Sequence, residues 1–350
     1  MGIFVSLLVL SGLIFFHELG HYLAARAVGV YVEVFSIGFG KRLFTFKMFE
    51  TEWSISAIPL GGYVKMKGQD DSDPSKKSQD PDSYTTKSPL QKIFILLAGP
   101  AFNFILAFFL YFAMALGSPE VLSPVVGDVI KESPASKAGL ETNDTIISIN
   151  DIKITTWQEM AETIQESKGT LNLGIIRNGF FEYIYLTPEL RETKNMFGES
   201  IEKKMIGIGA AGVTHKLDPT LANVLEYATE KTIFASTMIF KGVQKLITGD
   251  VPAKELGGVI SIVKLTSDAT ETGWMSVLFF AALISVNLGV LNLLPIPALD
   301  GGHIMFNLYE LIFRREASEA VMVKLTLVGW VLLFGLMGLG LFNDITRLLG

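Results

Sequence analysis

Apolar side chains gather in four stretches, at about residues 3–27, 92–116, 274–297 and 324–342. Each approaches the roughly 20 residues needed to cross the hydrocarbon core of a bilayer. The third stretch carries Asn287 and Asn292 and ends at Pro295 and Pro297. Such a break is tolerated at membrane depth only where freed backbone groups are buried in protein or line a cavity. The pattern predicts a polytopic α-helical membrane protein with four transmembrane helices.

The polar intervals have their own periods. Residues 33–66 alternate and carry glycines, as in Trp53-Ser54-Ile55-Ser56 and Pro59-Leu60-Gly61-Gly62-Tyr63-Val64. This reads as β-hairpins. Residues 68–88, rich in Asp, Ser, Lys and Pro, read as a mobile loop. Beyond the second span, Val125–Ile130, Asp144–Asn150, Leu171–Ile176 and Phe180–Leu186 read as strands, the last two joined by Asn178-Gly179. Thr156–Ser167 reads as a helix with Trp157, Met160, Ala161 and Ile164 on one face. A small α+β domain is therefore expected between spans. After it, residues 218–248 are amphipathic, with Leu221, Val224, Leu225 and Ala228, then Ile233, Phe234, Thr237 and Met238, at helical spacing. That helix suits either the membrane surface or the main bundle.

The predicted organisation is a first transmembrane helix over 1–27, a β-hairpin region with its loop over 28–91, and a second helix over 92–116. The α+β domain follows over 117–192 and the amphipathic helix and linker over 193–273. A broken third helix and its loop occupy 274–323, and a fourth helix 324–350. The first span lacks a basic leader and a small-residue cleavage site before its histidines, which predicts a retained span.

Composition sharpens this picture. The chain has 350 residues, 49 % of them hydrophobic and 18 % charged, with a mean hydropathy of +0.42. That is too apolar for an ordinary soluble protein and too polar for spans alone. The net charge of −6 argues against a nucleic-acid partner. With no cysteine, disulfides and thiolate-bound zinc are excluded, and any metal must take N and O ligands. Basic residues bracket two intervals: Arg26, Lys41, Arg42, Lys87 and Lys92 for one, Arg314, Arg315 and Lys324 for the other. They place 28–91 and 298–323 in the cytoplasm, with 117–273 and both termini outside, although Arg347 runs against the trend.

The candidate chemistry lies in the first span. His17-Glu18-Leu19-Gly20-His21 matches H-E-x-x-H, and Met1–Phe16 before it has no charged side chain. On a helix, positions four apart face the same way, so both imidazoles can hold one zinc ion with Glu18 beside them as a base. A charged group at membrane depth costs about 3 kcal/mol or more, so these residues need a purpose there. A catalytic site needs a third ligand, and of the few acids near spans Asp300 follows the helix break, where it can turn toward a buried metal or cap a helix. His303 reads as a loop residue or one that touches a ligand rather than the metal, His215 as surface. An amide such as Asn292 can donate to a developing oxyanion or cap the break.

The combination of H-E-x-x-H, Asn292-Leu293-Leu294-Pro295-Ile296-Pro297-Ala298-Leu299-Asp300-Gly301, and Gly99-Pro100 with Asn103 resembles the site-2 protease family. The nearest type is the bacterial regulator of sigma-E protease, and the resemblance covers nearly the whole chain. It implies that His17, His21 and Asp300 bind Zn2+ and that Glu18 is the general base. It also implies that Asn292 and Asn287 contact the substrate backbone or the oxyanion. The domain over 117–192 then resembles a single PDZ module, where that type carries two, and is able to contact substrate ends or to act sterically. The hairpins resemble the family's membrane-associated β-element, with Gly61 and Gly62 allowing close approach of an unwound substrate strand. The expected activity is intramembrane zinc endopeptidase in a bacterial inner membrane, with its active site toward the cytoplasmic side. Its partners are the lipid bilayer and single-span membrane proteins, such as anti-sigma factors or remnant signal peptides. Two other classes compete with this one. A catalytically silent PDZ-bearing scaffold has no need of Glu18. An ion transporter would spread polar groups through several spans.

Overall fold

A computed structural model describes residues 2–69, 78–194 and 200–349. Residues 70–77, inside the expected mobile loop, lie outside the described residues. The chain divides into two compact units, one made of 1–117 and 220–350, the other of 118–219.

The first unit opens with helix α1 (Gly2–Ala27). Gly29, at φ 73°, ends it, and Val30 N–H closes back on Ala25 O at 2.8 Å. Strands β1 (Val32–Met48) and β2 (Thr51–Met66) follow. Within them, 42–48 pair with 51–56, and 34–37 pair with 52–55 on one side and with 62–65 on the other. The segment 62–66 therefore forms an edge of this small sheet. Phe35 stacks on Trp53 with centroids 4.4 Å apart, and Tyr22 of α1 meets both rings edge-on. Together with Ala25, Val32, Met66 and Ile95 they make a buried cluster that fixes the sheet to α1. The far end of the hairpin instead exposes Phe44, Phe46, Met48 and Phe49. Helix α2 (Pro89–Leu116) starts at a capping box, with Ser88 and Gln91 bonded reciprocally and Pro89 in the first turn, which satisfies donors that a helix start leaves unpaired.

In the second unit, β3 (Glu120–Leu122) and β4 (Val126–Val129) precede α3 (Pro134–Lys137), β5 (Thr145–Ile149) and β6 (Ile152–Lys153). Helix α4 (Trp157–Glu166), β7 (Leu171–Arg177), β8 (Phe180–Leu186), β9 (Glu189–Lys194), β10 (Ser200–Met205), β11 (Ile208–Ala210) and β12 (Thr214–Lys216) complete it. One sheet has the order β6-β5-β7-β8, while β11 returns to β4 and β12 to β3. Those last pairings carry the unit on to Pro219, past residue 192. Asn178 and Gly179 both have positive φ, as a tight hairpin turn requires. Met160 and Ile164 of α4 enter the core with Ile146, Leu171, Leu173 and Ile175. Trp157 packs part-buried against the same core, while Ala161, expected on the same face, is exposed. Asp144 is buried and receives Arg177 through two bonds, Nε–Oδ1 at 2.8 Å and Nη2–Oδ2 at 2.6 Å. That carboxylate raises the guanidinium pKa further above its ordinary value.

The first unit resumes with α5 (Leu221–Thr248), α6 (Val259–Thr272), α7 (Trp274–Asn292), α8 (Asp300–Phe313) and α9 (Glu319–Leu349). Helix α5 buries Val224, Ala228 and Ala235, the two alanines in a cluster with α2 and α7. It leaves Leu221, Leu225, Ile233 and Phe234 exposed. Small residues face the bundle because they permit close helix approach. Helices α1, α2, α7 and α9 are long and apolar enough to cross a membrane. Helix α7 stops at Asn292, before Pro295, and α8 begins at Asp300.

Helix α6 has no cap of its own at Gly258. Asp344 of α9 supplies one: its carboxylate accepts from the N–H groups of Gly258 and Ser261, both at 3.0 Å, and from the Ser261 hydroxyl. Asn343 donates to Ala253 O and Leu256 O at 2.9 and 3.0 Å. Replacing Asp344 by alanine leaves these part-buried donors without their acceptor, so unfolding free energy should drop by about 1–3 kcal/mol. A lowered thermal midpoint of the purified chain would show this, and Asp344→Asn should lose less.

Candidate metal centre

Two helices must lie very close for this site to exist. At Gly20 of α1 any side chain would collide with Ala98 O of α2. At Gly99 of α2, an added Cβ would overlap the imidazole of His21. Pro100 has no N–H to give Leu96 O, which loosens the helix at this turn. Into the space enters His21, whose Nδ1 lies 2.9 Å from Ile95 O. A ring N–H donating to that carbonyl leaves Nε2 as a bare acceptor. His17, one turn earlier, stands edge-on to it, with centroids 4.8 Å apart. Its Nδ1 is 3.1 Å from the Asn103 side-chain amide.

The third group arrives from the other end of the chain. After α7 the backbone turns through 293–299, with Ile296 N–H on Leu294 O at 2.7 Å and Leu299 N–H on Ile296 O at 2.8 Å. The carbonyls of Leu293, Leu294 and Ile296 press on Gly301 and Gly302 so closely that a side chain at either would collide. Asp300 is thereby held in the first turn of α8, where the positive end of the helix dipole favours an anion.

His17 Nε2 and His21 Nε2 each lie 3.4 Å from Asp300 Oδ2, and 3.3 Å from each other. A tetrahedral ion with bonds of about 2.0–2.1 Å separates its ligand atoms by about 3.3–3.4 Å. Asp300 Oδ2 is buried and has no hydrogen-bond partner, a costly state for a carboxylate oxygen that faces two acceptors. The donor set therefore fits a divalent cation of the zinc type: two imidazoles and one carboxylate, with one position left for substrate or water. Among the described residues, these three are the group able to hold a metal.

Of the other residues expected at the site, Glu18 is half-buried on α1. Gly62 packs beside it: a Cβ there would stand 3.1 Å from Glu18 Cγ and 2.9 Å from Ser36 O. The sheet edge thus runs past Glu18. Gly61 has φ 146°, and a side chain there would overlap the Phe39 ring, which accounts for it by packing alone. Asn292 uses its Nδ2 on Leu288 O at 3.0 Å, and Asn287 is half-buried on α7. No hydrogen bond joins either to the trio among the described residues. His303 packs on Phe306, and His215 is exposed with Ser123 Oγ at 2.8 Å. Gly99 and Asn103 were visible only as parts of a motif. The signal that could have assigned them was a Gly-Pro step and an asparagine inside an apolar span, both of which need a partner on a facing helix.

Residues 5–336 match the family model described as peptidase family M50. A Campylobacter jejuni protein named "putative zinc metalloprotease" is 47 % identical over 99 % of this chain and 93 % of its own length. A Helicobacter pylori protein of the same name is 44 % identical over 99 % of both chains. One from Clostridium acetobutylicum is 34 % identical over 98 % of this chain and 97 % of its own.

The space at Gly99 yields a direct expectation. Gly99→Ala should displace the His21 ring and weaken divalent-metal binding at least tenfold, read by chelator competition. Gly12, with open space around it, should tolerate the same change.

Proposed function

The chain belongs to peptidase family M50, the site-2 protease family, and from that premise we propose that it is an intramembrane zinc endopeptidase of the site-2 type. What carries the reading is the meeting of His17, His21 and Asp300 beside Glu18 on a helix apolar enough to span a bilayer. The cofactor is zinc, as in the relatives' names. Zinc, when bound, supplies a Lewis acid that polarises a carbonyl and brings the ionisation of water toward neutral pH.

The residues of the chain do the rest. His17, His21 and Asp300 hold the ion. Glu18 takes the proton of the attacking water and returns it to the leaving amide nitrogen. Asn292 has a second N–H beyond the one on Leu288 O, available to an oxyanion. A transmembrane substrate must open its helix before attack, and its freed backbone groups need partners. The edge at 62–66 offers them, because Gly62 lets an added strand lie close to Glu18. The substrates are single-span membrane proteins, and the 118–219 unit is read as a PDZ-like module that screens or positions their outer ends. The bacterial cytoplasmic membrane, with the hairpin region on its inner side, is the setting that the basic residues favour.

Purified protein and a single-span model substrate test the roles. Glu18→Gln should keep zinc and lose at least about 100-fold in cleavage rate. Asp300→Asn should weaken zinc binding itself. Equal cleavage by both variants and the parent would sink the assignment.

A further inference from the structure

The two zinc-binding histidines are oriented by different means, and one of those means has no assigned role. His21 turns its Nδ1 to a backbone carbonyl, Ile95 O. His17 has a side chain instead: Asn103, wholly buried on α2, with Nδ2 placed 3.1 Å from His17 Nδ1. The other amide atom, Asn103 Oδ1, is buried without a hydrogen-bond partner. The main-chain carbonyl of the same residue accepts from Ser285 Oγ at 2.8 Å, which ties α2 to α7 at this level.

His17 Nε2 faces the metal position. To offer a lone pair there, the ring must carry its proton on Nδ1, and Nδ1–H then needs an acceptor. An amide oxygen and nitrogen differ only by a half-turn of the group, which the hydrogen-bond network decides. The half-turn puts Oδ1 where Nδ2 stands, opposite His17 Nδ1.

We propose that Asn103 is a positioning residue that accepts the Nδ1–H of His17 through its amide oxygen and so fixes the ring with Nε2 aimed at the zinc. The proposal rests on the zinc-site reading above, and the experiment separates the two. Zinc affinity is measured on purified, full-length protein by chelator competition, with no substrate present. Asn103→Leu removes the acceptor at similar volume. Asn103→Asp keeps an acceptor. Ser285→Ala removes only the bond between α2 and α7. The dissociation constant for zinc should rise about 10- to 100-fold in Asn103→Leu, the usual cost of losing such an outer partner. It should stay within about threefold of the parent in Asn103→Asp and Ser285→Ala. An Asn103→Leu protein that binds zinc as tightly as the parent overturns the proposal and leaves the zinc site standing. So does an Asn103→Asp protein that loses as much as Asn103→Leu, since a packing role would give that result. A parent that binds no zinc instead defeats the zinc-site reading.

Discussion

Three electron-pair donors, two imidazole nitrogens and one carboxylate oxygen, face each other at 3.3–3.4 Å. Most other features of the bundle bear on that crowding. A cation among them would give all three a partner, and a buried carboxylate oxygen without one is expensive. Glycines at 20 and 99 remove the atoms that would keep α1 from α2. Glycines at 301 and 302 remove those that would keep the 293–299 turn from the start of α8. The backbone is compressed in two places so that side chains can converge in a third.

The sheet of β1 and β2 is the other fixed partner of α1. Its anchoring through Phe35, Trp53 and Tyr22 sets the height at which Gly62 passes Glu18. The same sheet is divided in character. Its inner part is buried against α1, and its outer part exposes Phe44, Phe46 and Phe49, a surface that suits lipid better than water. An inner edge close to Glu18 and an apolar outer tip are compatible demands only because the strands are long.

Much of this was legible in the sequence, for physical reasons. The helical period puts His17 and His21 on one side of α1 without knowledge of any other residue. Pro295 and Pro297 forbid a continuous helix, so a break at the end of the third apolar stretch follows from backbone chemistry, whereas the stop at Asn292 and the helix Asp300–Phe313 beyond it do not. The hairpin at Asn178-Gly179 follows from the positive φ that few residue types accept. What was not legible depended on facing surfaces. The hydrophobic spacing on α5 marks Leu221, Val224, Leu225 and Ala228 alike, yet of these Val224 and Ala228 are buried, joined by Ala235, while Leu221 and Leu225 are exposed; an apolar pattern does not separate an outward-facing stripe from a packed one. The return of β11 and β12 to β4 and β3 is a long-range pairing of short strands, with too few residues for a period to show. Asn103 looked like part of a motif because its meaning lies in a histidine on another helix.

Helix α8 brings its aspartate to a site otherwise built from α1 and α2, and the whole 118–219 unit is threaded between them in the chain. The order of synthesis then matters. A ribosome delivers both imidazoles, their supporting carbonyl and Asn103 long before the carboxylate emerges. Until the segment from Asp300 onward has folded back, the nascent chain holds only two of the three groups able to hold a metal together.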